Sequence, residues 1–299
     1  MSLGLVLALG LAVAGCAPGA APLSLRGSLT ISGSTALQPL ATRAASGFMA
    51  EHPEARIAVS GGGSLAGLKA VTSGKVDIGD ADVYADPGEY PDPTLSDHLV
   101  AVIPFTLIVN PDVTGVPSLT RDQIIGIFST SKYTNWSQLG GPSLPIQAVV
   151  RPPTSGTRLT FRKYVMGGRD EKGIFLNSDS SKTVLKTVAT TPGAIGYLAL
   201  SVLDTTVRAI GIDGANAAPD SIESGRYPFW GYEHMYTLGD GGALASAFLS
   251  YMTTPGVQSV ARSMGYIPIY DMRVAIRTTD GSGGLASLAP ASAWRRDDA

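Results

Sequence analysis

The sequence predicts an α/β protein of two lobes joined by two crossing strands, and three observations carry that prediction. Three times a strand-like run gives way to a loop of Gly, Ser and Thr and then to helical spacing, at 29–48, 56–73 and 146–166. The 299 residues are too many for one small core and suit two lobes of ordinary domain size. Two long apolar stretches, 99–109 and 227–238, are each long enough to pass from one lobe to the other.

Composition narrows the function classes. Charged residues make up 15% and the net charge is −2, so no basic face suggests nucleic acid and no acidic block suggests a disordered tail. The 36 glycines and 20 prolines suit many strand-to-helix turns. A single cysteine excludes an internal disulfide and a Cys-rich metal site. His52, His98 and His234 are scattered without metal-ligand spacing, so each is expected to be structural or solvated, and neither a metal nor a cofactor is expected.

The first residues stand apart from the fold. Residues 3–14 form an apolar run of signal-peptide length that ends in V-A-G-C, with the only cysteine at Cys16 and a loose A-P-G-A-A-P linker after it. This resembles the bacterial lipoprotein signal, which implies cleavage before Cys16 and acylation of that residue. Several acyl chains anchor a protein stably where one does not. The expected division is a signal peptide at 1–15, a linker at 16–26, and the fold from 27.

The elements then follow in order. At 29–40, L-T-I-S-G-S-T-A-L-Q-P-L, Leu29 and Ile31 alternate as in a strand, and Leu37, Leu40, Ala41, Ala44 and Phe48 share one helical face. Gly33, Ser34 and Thr35 therefore lie in the turn, and Pro39 falls in the first helical turn, where its missing N–H costs little. A second unit runs from a strand at 56–60 through G-G-G-S, ending at Ser64, into a helix at 65–73 stopped by Gly74. It is not a Walker A loop, because Lys69 comes one position late, and it is not a nucleophile elbow, because Ala66 stands where the last glycine belongs.

Residues 76–82, V-D-I-G-D-A-D, read as a strand whose Asp77 and Asp80 face solvent or cap neighbours. Asp82 differs from them: it is an acceptor at the end of a strand, where open α/β sheets place their ligands. In an anion site, a carboxylate accepts a hydrogen bond from a protonated anion and opposes a fully deprotonated one across a costly pair of buried charges. One Asp can thus separate phosphate from sulfate.

Beyond the crossing run at 99–109, Thr120 and Gln123 form a capping box for a helix at 121–128, and Trp136 and Leu139 sit in a short polar turn. The third unit is R-P-P-T-S-G-T-R at 151–158. An apolar strand at 146–150 precedes it, and a helix at 159–166 follows it, stopped by Gly167 and Gly168. The N–H groups of Ser155, Gly156 and Thr157 fall where a helix leaves its first donors unpaired, and Arg151 and Arg158 flank them with forked cationic donors. Taken alone, this loop fits either an anion cradle or a Ser/Thr helix cap between two surface arginines. A helix around 184–188, strands at 195–200 and 207–212, the second crossing at 227–238 and helices at 243–252 and 256–264 complete the fold. From about 276, Gly, Ser, Ala and terminal charge predict a disordered tail.

Seven segments in this order and spacing, G-S-T-A-L-Q-P, G-G-G-S-L-A-G-L-K, V-D-I-G-D-A-D, I-F-S-T-S-K-Y-T-N-W, R-P-P-T-S-G-T-R, P-G-A-I-G-Y and Y-P-F-W, resemble the substrate-binding protein of the bacterial phosphate ABC transporter, the Pst system. The resemblance covers residues 29–269. It implies a two-lobed periplasmic-binding-protein fold of the Venus-flytrap type II class, with lobe one at 27–108 and 231–275 and lobe two at 109–230. It also implies a site for inorganic phosphate made of Ser34, Thr35, Ala36 (through its backbone), Ser64, Asp82, Arg151, Ser155, Gly156 and Thr157. Many relatives have Glu after the second Arg, where this chain has Leu159, which leaves Arg158 only long-range attraction.

The implied protein is a non-catalytic monomer. Its partners are phosphate and the permease subunits, and it is held by lipid on the outer side of the cell membrane. The same fold can serve molybdate, tungstate or sulfate. A hydrolase using Ser64 or Ser155 would need a base that none of these loops supplies, and S-x-x-K at 129–132 lacks its partner motifs.

Overall fold

The structure is a computed structural model that describes residues 25–177 and 179–274. The leader, Cys16 and the tail expected from 276 lie outside the described residues. The first two units form as their patterns predict. Strand β1 (Gly27–Ser32) leads to helix α1 (Gln38–Glu51), and β2 (Ala55–Ser60) leads to α2 (Ser64–Thr72). The apolar face of α1, Leu40, Ala41, Ala44 and Phe48, is buried on the sheet, and Gly74 takes a positive φ of 67° just beyond the end of α2. Each large apolar side chain buried in this way contributes roughly 1.5–3 kcal/mol.

Strand β3 (Ile78–Ala81) pairs parallel with β1, as β2 does on the other side. The long strand β4 (Leu95–Val109) is the first crossing. Its 15 residues extend about 50 Å at strand rise. Along Leu95–Pro104 it pairs antiparallel with β10 (Trp230–Leu238), which itself pairs antiparallel with β3. From Phe105 onward it changes partners, pairing with β8 (Ala194–Ala199) and β9 (Arg208–Ile212). A single strand therefore belongs to both sheets. The expected second crossing begins three residues later than the apolar run, at Trp230, just after Pro228, which has no N–H to give a ladder.

The second sheet is completed by β6 (Gln147–Val150), parallel to β8 and to the short β7 (Ile174–Phe175), and by β5 (Ser118–Leu119) against β9. Helix α3 (Arg121–Phe128) carries both halves of its capping box: Gln123 N–H donates to Thr120 Oγ1 at 3.2 Å, and Thr120 N–H to Gln123 Oε1 at 2.8 Å. Helices α4 (Gly156–Tyr164) and α5 (Ser181–Thr190) cover this sheet, α6 (Pro219–Glu223) precedes the return, and α7 (Gly242–Met252) and α8 (Pro255–Ser263) pack near α1.

One packing feature fixes the site. Phe161 of α4 stacks on Tyr197 of β8 at 4.2 Å and meets Phe229, just before β10, at 5.2 Å; Phe229 in turn meets Phe105 of β4 at 5.0 Å. The helix that carries the 151–158 loop is thus anchored on the crossing strands by aromatic contacts worth about 0.5–1.5 kcal/mol each beyond burial.

Candidate functional site

Four helix N-termini, those of α1, α2, α4 and α5, and the C-terminal end of β3 meet where the two sheets face each other. From the second lobe comes Arg151, 1% exposed, at the end of β6. Its Nε donates to Ser155 Oγ at 2.7 Å, Nη1 to Ser181 Oγ at 3.4 Å, and Nη2 both to Thr35 Oγ1 at 3.1 Å and to Asp179. Ser155 is the N-cap of α4 and also accepts from Arg158 N–H at 3.3 Å. Gly156 and Thr157 are the first two residues of α4, so their N–H groups have no acceptor within the helix.

From the first lobe, Ser64 opens α2, and its Oγ accepts from Asp82 N–H at 2.9 Å. Asp82 follows β3, is 4% exposed, and accepts from Thr157 Oγ1 at 2.8 Å through Oδ2, while Oδ1 has no hydrogen-bond partner among the described residues. Burial pushes its carboxyl above the usual range, against the opposing pull of Ser34, Thr157 and Arg151. The lobes touch here through the same loops. Leu65 N–H donates to Thr154 O at 3.2 Å, and a Cβ on Gly156 would stand 2.1 Å from Ser64 Oγ, so only glycine allows this approach.

The hydroxyls are oriented by what they already accept. Ser64 Oγ receives an N–H, and Ser155 Oγ receives a guanidinium N–H and a backbone N–H, so each has its own O–H left to donate. Thr35 Oγ1 likewise accepts from Arg151. A ring of donors around one buried cation, with the Asp179 carboxylate tied to that cation and the Asp82 carboxylate left as an acceptor, is the chemistry that holds a protonated oxyanion.

The expected residues differ in detail from this picture. Thr35, Ser64, Asp82, Arg151, Ser155, Gly156 and Thr157 come together. Ser34 is turned inward, its Oγ accepting from Ala36 and Leu37 N–H at 3.1 and 2.9 Å, so the Ala36 N–H expected to meet a ligand is used in that turn. Arg158 is no free attractor: it is buried against Glu171 at 2.6 Å, which also accepts from Tyr197 OH at 2.7 Å, and its guanidinium lies 5.4 Å from the Phe175 ring centre. Asp77 does cap a neighbour, accepting from Thr30, but Asp80 is wholly buried rather than exposed or capping, because β3 is buried along its whole length, on both faces. Of the histidines, His234 is buried against Asp97 and His98 half-buried beside Thr237, both structural.

Sequence reasoning misses Asp179 and Ser181, although N-S-D-S-S at 177–181 is another small polar run before a helix, with Ser180 Oγ capping α5 by accepting from Thr183 N–H at 3.2 Å.

Two lobes sharing a strand, with donors from both converging on a buried Arg and Asp, define a binding protein that closes on an anion. The chain belongs to the PBP superfamily domain family, whose model matches residues 18–255. It is 47% identical over 260 residues, 86% of this chain and 85% of the other, to the phosphate-binding protein PstS of Bacillus subtilis (strain 168). Among solved structures it is similar to a Clostridium perfringens protein assigned as a phosphate ABC transporter substrate-binding protein and solved with bound phosphate. That likeness has a TM-score of 0.75 and 28% identity, and covers 81% of this chain and 100% of that one. It is also similar to an ABC-type phosphate transport receptor from Vibrio cholerae, with a TM-score of 0.66 and 28% identity, covering 80% and 99%.

Proposed function

We infer that this chain is a non-catalytic receptor outside the cytoplasm that binds inorganic phosphate between its lobes and delivers it to an ABC permease. The observation that carries the reading is the meeting, in one buried site, of Arg151, ion-paired with Asp179, and Asp82, held by the Thr157 hydroxyl, with Arg151 and Asp82 drawn from opposite lobes. Arg151 and the O–H and N–H groups of Thr35, Ser64, Ser155, Gly156 and Thr157 supply donors to the phosphate oxygens. Asp82 Oδ1 accepts a hydrogen bond from the proton that HPO4 or H2PO4 carries and that sulfate lacks near neutral pH.

Hydrogen bonds to a charged group contribute about 1.5–3 kcal/mol each. A micromolar site needs about −8 kcal/mol net, so a handful suffices after the cost of ordering. Closure is a population shift, because only the closed form offers both lobes' groups to the anion. The moving bodies are residues 27–108 with 231–275 and residues 109–230, hinged where β4 and β10 cross. The chain works as a monomer anchored through an acylated Cys16.

Titration calorimetry of the phosphate-free protein with phosphate, sulfate and molybdate at pH 7 tests the reading. One-to-one phosphate binding with sulfate and molybdate silent is expected, and tighter binding of either competitor would reassign the ligand.

A further inference from the structure

Behind Asp82 lies a group that the site as described does not use. The β3–β10 ladder pairs Asp80 with Met235 and ends at Ala81 and His234; Glu233 and Asp82 are the next residue on each side, and Glu233 feels the charges of both Asp82 and Asp80. Glu233 is 0% exposed, and among the described residues neither of its carboxyl oxygens has a partner at hydrogen-bond geometry, the Ser34 hydroxyl being the polar group that acts on it; the Asp80 carboxyl, also 0% exposed, likewise has no partner at hydrogen-bond geometry among the described residues. Three carboxyl groups thus lie together in one buried cluster.

The groups that face Glu233 come from every side. Asp80 and Asp82 lie on β3 and just after it, the Ser34 hydroxyl is in the turn after β1, and Tyr266 follows α8. None of these is a cation. The nearest positive charge acting on the cluster, that of Arg151, acts on Asp82.

Three carboxylates cannot all be ionised in such a place, because each adds to the desolvation cost and repels the others. Asp82 is the one with a donor in hand, the Thr157 hydroxyl at 2.8 Å, and with the Arg151 charge nearby. We propose that Glu233 is a specificity-determining residue of the anion site: it sits behind Asp82 as a neutral, proton-carrying acid, so that Asp82 is left ionised to accept the proton of the bound anion. This rests on the phosphate reading above. Burial raises the Glu233 and Asp80 carboxyls well above their usual range, and the neighbouring carboxylates push in the same direction. Each group therefore keeps its proton at pH values where an exposed carboxyl has lost it, and loses it as pH rises through the raised value. An ionised Glu233 would set a second negative charge against an incoming dianion, so phosphate affinity falls on the alkaline side for a reason distinct from the titration of phosphate itself.

Infrared spectroscopy of the ligand-free full chain and phosphate calorimetry at pH 7 and pH 9, on wild type and Glu233→Gln, test this. Wild type at pH 7 shows the C=O band of a buried protonated acid, and Glu233→Gln lacks that intensity. The variant's loss of phosphate affinity between pH 7 and pH 9 is about tenfold smaller than that of wild type, the effect of one like charge removed from beside a buried anion. An unchanged band, or the same pH 7 to pH 9 ratio in both proteins, overturns the proposal. If wild type binds no phosphate while the variant still loses the band, the phosphate reading fails and the neutral state of Glu233 stands. Glu233→Met, of similar length and also uncharged, gives the same comparison should the amide not fold.

Discussion

Arg151→Ala is the perturbation whose outcome the geometry fixes best. The guanidinium is 1% exposed and donates to Ser155, Ser181, Thr35 and Asp179, the last also 3% exposed at its side chain. Removing it deletes the only cation found within the site among the described residues and leaves Asp179 as a buried carboxylate with no counter-charge. Breaking a buried pair in this way costs about 3–5 kcal/mol of stability. Binding suffers twice, through two forked bonds to the anion, each worth about 1.5–3 kcal/mol, and through the exposed repulsion of Asp179. The expected loss of phosphate affinity is therefore about a thousandfold or more, at about 1.4 kcal/mol per tenfold. Calorimetry on Arg151→Ala, Asp179→Asn and the double variant separates the two contributions. The double variant should regain much of the thermal stability and little of the affinity. Wild-type affinity in the double variant would refute the argument, because Arg151 would then serve only to neutralise Asp179 and would never meet the ligand.

Three further outcomes follow from the site. Asp82→Asn should lower phosphate affinity by about ten- to a hundredfold, the loss of one charge-assisted acceptor, and narrow the gap to sulfate; a constant phosphate-to-sulfate ratio in calorimetry would remove Asp82 from its role. Gly156→Ala places a Cβ 2.1 Å from Ser64 Oγ, so it should weaken phosphate binding by at least about tenfold by blocking closure, while the melting temperature of the ligand-free protein moves little; tight binding by this variant would mean that the lobes need not approach so closely. Cys16→Ser should move the protein from membranes to the soluble fraction on cell fractionation, and retention in the membrane pellet would exclude acylation at that position as the anchor.

What is legible in the sequence depends on whether a signal is local. The strand, loop and helix of each unit are written in consecutive residues, so Thr35, Ser64 and the 155–157 turn can be placed from the residue pattern alone. Asp82 stands out because it ends a strand. The charge of Asp80 argues for solvent, yet β3 lies inside its sheet between β1 and β10 and is buried on both faces, so none of its positions reaches water. Non-local partners leave no mark. Glu171, which neutralises Arg158, lies 13 residues away beyond the end of α4, and Asp179, which pairs with Arg151, lies 28 residues away before α5. Glu233 meets Asp82 only through the register of two antiparallel strands distant in the chain, which no residue pattern near either of them encodes.

The contacts that hold the lobes together also explain why closure should need the anion. Across the cleft, Arg151 reaches Thr35, Thr157 reaches Asp82, and Leu65 N–H reaches Thr154 O. Almost every one of these groups is also a proposed ligand of the phosphate. Without the anion such contacts are a few hydrogen bonds that water can replace in the open form, each worth about 0.5–1.5 kcal/mol net. They must also hold the Arg151 cation and the carboxylates of Asp82 and Asp179 away from solvent. With the anion present, the same donors turn to a charged acceptor that touches both lobes at once, and each bond about doubles in worth. On the phosphate reading proposed above, the ligand supplies the larger part of the free energy of closing at this point, and opening the lobes would release it.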